Sequence, residues 1–240
     1  MSETLPQGFY GLWNEELGFS HVFQLPDANT LTPEALAASW RIVPLELRWP
    51  DAATKPPIPL YGQRDPRWKD QLLGYSAVAT FGTYGCLVTC VAMLATHALQ
   101  YEVTPLLVNA RLKDVGGFVA NTANMYFAKV IEAFPELKLA GFYRWRTIAA
   151  DLSKIDEILN RGGYPVIQVD FDPGDQQRAD PDLDEHWVLI VGKDGEGYRI
   201  YDPWTGQAHL LPPAYCRAGA GWNAARAIYA VSMYERKVAG

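Results

Sequence analysis

The sequence predicts an α+β fold, with helices first and a mainly antiparallel sheet second. Three observations predict it. In "CLVTCVAMLATHAL" the apolar residues Leu87, Val91, Leu94 and Ala98 recur at helical spacing. From Tyr164 onward the runs turn β-branched and aromatic: "YPVIQVDFD", "HWVLIVGKD", "GYRIYDPW" and "RAIYAVSMYE". Turn signals such as Asp194-Gly195 and Thr205-Gly206 bound those runs, and helices followed by strands is an α+β order.

Residues 1–57 stand apart as an N-terminal extension or small subdomain, before a main domain over 58–240. "TPEALAASW" reads as a helix start, with Thr32 as cap, Pro33 at the first helical position and Glu34 at the positive end. "RIVPLELRW" reads as extended, and its proline excludes a central strand. A linker-like stretch, "PDAATKPPIP", follows. Trp13, Trp40 and Trp49 suit either a sugar-stacking surface or ordinary core and interface anchors.

In the main domain, "IPLYGQRDPRWKD" reads as a short strand running into a turn. A helix starts at Thr104 and stops at the glycine pair of "DVGGF". "ANMYFAKVIEAF" and "DLSKIDEILNRGG" read as further helices. The second is capped by Asp151 or Ser153 and ended by Gly162-Gly163.

With 240 residues, 49% of them hydrophobic and 20% charged, the chain can bury a full core. A net charge of -6 and the lack of a basic stripe exclude a general nucleic-acid binder; "YRWRT" is too short to change that. No run of about 18 apolar residues predicts a membrane span. The N-terminal stretch has no basic head followed by an apolar core, so cytoplasmic synthesis without a signal peptide is the expectation, with later release open.

The three cysteines, Cys86, Cys90 and Cys216, make no disulfide framework and fit a reducing compartment. Cys86 and Cys90 lack a second ligand pair, and His97 stands at no familiar spacing, so neither a metal nor another cofactor is expected. Cys86 follows Gly82 and Gly85 and falls in a first helical turn, where free N–H groups and the helix dipole favour a thiolate and can hold an oxyanion. A cysteine in a helix is equally a small buried hydrophobe.

His186 opens an apolar strand, and Asp202 ends the next one after a short turn. In an antiparallel pair these ends share one edge of the sheet, so the carboxylate can orient the imidazole. Each also has an ordinary reading, His186 as a strand cap and Asp202 as turn chemistry before Pro203. Their placement together with Cys86 points to nucleophile, base and orienter.

"QRDPRWKDQLLG", "GTYGCLVTCVAML", "GGYPVIQVDF", "HWVLIVG" and "YDPWTG", in that order, resemble the papain-like cysteine peptidases of the bacteriocin-leader-processing superfamily. They look most like its stand-alone peptidase family thirty-nine-like domains from bacteria and phages, some of which sit beside cell-wall hydrolases. The resemblance runs from about Ile58 to the C-terminus. It implies a helical lobe carrying Cys86 as nucleophile and a sheet carrying His186 as general base and Asp202 as its orienter. Gln63 would be the side-chain oxyanion donor. Two departures stand out: Thr80 occupies the place of papain's glutamine, and "GCLVTC" replaces the family's Gly-Cys-Gly-Pro-Thr.

The expected function is a cysteine peptidase or amide hydrolase acting on a peptide, with peptidoglycan peptides as one substrate. A phosphate-binding loop and membrane spans are missing from the sequence, so leader processing coupled to export is not implied. Two alternatives stay open: an inactive peptide- or glycan-binding module on the same fold, and an acyl transferase. The acidic loop Asp172–Glu185 suits a basic peptide or a solvated groove entrance.

Overall fold

A computed structural model describes the backbone of residues 8–14, 18–25 and 40–44. It describes fully residues 57–146, 148–171, 185–195, 197–212, 214–215 and 223–237. The chain divides into two compact units, Met1–Lys55 and Pro56–Gly240. In the first, strands β1 (Gly8–Asn14), β2 (Gly18–Leu25) and β3 (Trp40–Pro44) form an antiparallel sheet in the order β2-β1-β3. The proline-ended β3 is therefore an edge strand, as a residue without an N–H requires. The helix expected at "TPEALAASW" and the residue Cys216 lie outside the described residues, as does nearly all of the acidic loop.

The second unit is a mixture of helices and one antiparallel sheet. A one-turn helix α1 (Phe81–Tyr84) leads through Gly85 into α2 (Cys86–Leu99), followed by α3 (Pro105–Asp114). Thr104 caps α3 by accepting the Leu107 N–H, and Pro105 takes the first helical position. A 3-10 turn at Phe127–Lys129 and a single turn α4 (Val130–Ala133) stand where the sequence predicts one continuous helix. Strand β4 (Leu137–Arg144) comes next, then α5 (Leu152–Asn160), capped by Asp151. Strands β5 (Tyr164–Asp170), β6 (Glu185–Asp194), β7 (Gly197–Asp202) and β8 (Gln207–Leu211) precede a short α6 (Ala224–Ala227) and β9 (Ala230–Arg236).

The sheet order is β4-β9-β5-β6-β7-β8, every pair antiparallel. Gly195 and Gly206, at φ +58° and +65°, supply the left-handed residues that the β6–β7 and β7–β8 turns need. Strands β4 and β8 were not anticipated, and the strand expected at "IPLYG" is instead irregular and turn structure.

Both faces of the sheet are covered. Helix α2 packs across β6 and β5, and Met93, Leu94, Val166, Leu189 and Tyr234 share one core with Phe81 and Phe134. Ile155 and Ile158 of α5 close the other face against Ile167, Val169, Val188 and Ile190. The odd and even residues of β5 thus feed two different cores, which is why its sequence reads as a continuous apolar run. The expected stripe on α2 is likewise not confined to one face, since every residue from Val88 to Ala95 is buried.

The junction between α1 and α2 is close-packed. A Cβ on Gly85 would lie 2.5 Å from the Phe81 carbonyl oxygen and 2.9 Å from its Cα, both backbone atoms. We expect Gly85→Ala to destabilise the fold by about 1–3 kcal/mol, read as a lower urea midpoint, because the clash is relieved only by parting the helices. An unchanged midpoint would show that the junction yields freely.

Candidate active site

The structure brings Cys86, His186 and Asp202 together. Cys86 begins α2, His186 is the second residue of β6, and Asp202 is the last of β7, which pairs with β6. Cys86, His186 and Gln63 line one groove of about 700 Å³, and the Asp202 carboxylate lies buried behind the imidazole.

His186 Nε2 is 2.8 Å from Asp202 Oδ1. A carboxylate only accepts, so Nε2 carries the proton and Nδ1 is the nitrogen left for the thiol. Cys86 lines the same groove as the imidazole. Burial pulls the His186 pKa down, but the hydrogen bonds to Asp202 and Cys86, and their charges, outweigh it and raise it to about 9. The imidazole is thus held in its cationic form beside a sulfur atom. Phe171 meets it edge-on, with ring centroids 5.4 Å apart.

Asp202 is pinned at both oxygens. Oδ1 also accepts the Trp204 backbone N–H at 2.8 Å. Oδ2 accepts from the Tyr215 hydroxyl at 2.7 Å and the Thr205 hydroxyl at 3.2 Å. Burial pushes its pKa up, but His186, Tyr215 and the Trp204 amide more than offset this and hold it below the usual carboxylate value. Turn chemistry and triad geometry therefore coincide: the Asp202-Pro203-Trp204-Thr205-Gly206 turn that ends β7 also orients the carboxylate toward His186.

Gln63 is docked onto that turn from a distant loop. Its backbone N–H donates to Pro203 O at 2.7 Å, Gly62 packs on Gly206, and the Trp68 indole N–H donates to Gly62 O at 2.9 Å. The buried Gln63 amide donates one Nε2–H to Gly82 O at 3.2 Å. Gly82 O is the acceptor that an unbroken helix would offer to the Cys86 N–H. Among the described residues none accepts a hydrogen bond from that N–H. Thr80, at the place of papain's glutamine, caps α1 instead.

Cys90 is fully buried, and burial pushes its thiol pKa well above the ordinary value; its sulfur faces Trp187 O. Among the described residues no cluster of His, Cys, Asp and Glu could hold a metal ion, and no helix is long and apolar enough to cross a membrane. Tyr215, Thr205 and Phe171 escaped the sequence reading. Tyr215 lies 13 residues from Asp202 beyond an intervening strand, and no spacing rule connects them.

The class of site is a thiol and an imidazole in one groove, with a carboxylate bonded to the imidazole. No protein-family model and no curated protein sequence matches the chain. Among solved structures it is similar to a Bacillus anthracis protein described provisionally as a C39-like peptidase. The two align over 75% of this chain and 96% of the other, at 16% identity and a TM-score of 0.46. A likeness this distant is description only, and the chemistry rests on the geometry above.

Proposed function

We propose that this chain is a cysteine-type amide hydrolase that cleaves peptides. The observation that carries the reading is the buried His186 imidazole, bonded to Asp202 and sharing one groove with Cys86. With the thiol proton already resting on the imidazole, Cys86 Sγ attacks the substrate carbonyl carbon as the sulfur partner of the imidazolium. The Cys86 backbone N–H and the second Nε2–H of Gln63 hold the oxyanion. The imidazolium then protonates the departing amine, and water, activated by the same imidazole, hydrolyses the thioester.

The test is alkylation with iodoacetamide over about pH 5 to 9, with the labelled cysteine mapped by mass spectrometry. We expect Cys86 to outpace free N-acetylcysteine at the acidic end of that range, and His186→Ala to slow it at least about tenfold. Cys86 labelling that ignores His186 would overturn the reading and leave the groove as a binding site.

A further inference from the structure

The donors on the far side of Asp202 are more than the cysteine chemistry requires. The orienting carboxylate needs one oxygen on His186, yet the second oxygen takes two side-chain hydroxyls. Tyr215 is the stronger partner. It is buried, its hydroxyl stands 2.7 Å from Oδ2, and its ring lies against the His186 ring with centroids 5.6 Å apart. It does not line the groove. Burial and the neighbouring carboxylate push its phenol far above the ordinary value, so the hydroxyl remains a donor.

We propose that Tyr215 is a positioning residue: its hydroxyl clamps Asp202 Oδ2 while its ring backs the imidazole, so that Oδ1 stays on His186 and the remaining nitrogen stays on Cys86. The inference rests on the function proposed above and deepens it. A free carboxylate turns about its Cβ–Cγ bond, and a clamp at Oδ2 removes that freedom. Thr205 adds a weaker second hold at 3.2 Å, and its Oγ1 also contacts His209 Nε2 at 2.9 Å.

The experiment measures the alkylation rate of Cys86 at neutral pH in wild type, Tyr215→Phe, Asp202→Asn and the double variant, with His186→Ala as reference. Phenylalanine keeps the ring and removes only the hydroxyl. We expect Tyr215→Phe to slow labelling about tenfold, the loss of one charge-assisted hydrogen bond. In the Asp202→Asn background the same change alters the rate less than about twofold, because the clamp then has nothing to orient. An equal slowing in both backgrounds, or none in wild type, would overturn the proposal. If Tyr215→Phe does not fold, Thr205→Val at the exposed second donor takes its place, with a smaller slowing that again vanishes with Asp202→Asn. Failure of the proposed function shows separately, as wild-type labelling that does not depend on His186.

Discussion

We expect Cys86→Ala to abolish the proposed peptide hydrolysis, by about 10⁴-fold or more, while urea unfolding moves little. The magnitude follows from the covalent step, since without sulfur no acyl intermediate forms and only binding and the oxyanion donors remain. Stability changes little because Cys86 is half-buried at a helix start and is replaced by a better helix former. The measurement is turnover of a peptide substrate found by library screening with wild type, followed by chromatography on both proteins. Residual activity within tenfold of wild type would move the nucleophile elsewhere. Cys90 is no substitute, because its burial raises the cost of a thiolate.

Asp202→Asn is expected to produce the second large effect, a loss of about 10²- to 10⁴-fold in the proposed hydrolysis at neutral pH. Asparagine keeps the shape but removes the charge that supports the imidazolium. Burial, which already works against the His186 charge, then faces less opposition, and the His186 pKa falls from about 9. The alkaline limb of the activity profile shifts to lower pH accordingly.

Stability carries the same signature. The folded-state pKa of His186 lies above its ordinary 6.5, so its protonated form contributes stability fully below about pH 6.5. That contribution is lost as pH rises through about 9. Asp202, whose pKa is lowered, contributes above its ordinary value and loses that contribution on acidification. Urea midpoints of wild type therefore fall between about pH 6.5 and 9, and those of Asp202→Asn stay flatter. An identical slope in both proteins would show that the pair is not coupled.

The chain's local chemistry was legible in advance. The Thr104-Pro105 helix start, the Asp151 cap and the Gly195 and Gly206 turns all formed where their residue types predict. Each is satisfied within a few residues, so proximity in the chain supplies the partner. The strands that went unread are the outer ones, β4 and β8. "LKLAGFYR" carries a lysine, a glycine at a register shift and an arginine, and "QAHLL" is short and largely exposed. An edge strand has one neighbour and a partly wet surface, and its sequence therefore lacks the apolar run that marks an interior strand.

The sequence by itself determined the mixed helix-and-antiparallel-sheet class, the glycine-flanked cysteine at a helix start, and a histidine and an aspartate at one end of adjacent antiparallel strands. Only the tertiary structure decided that Gln63 takes the Gly82 carbonyl, that Gly62 settles on Gly206, and that Tyr215 closes on Asp202. These contacts join segments with no shared periodicity. They form only when two separately specified pieces are packed together, and packing is a property of the whole core.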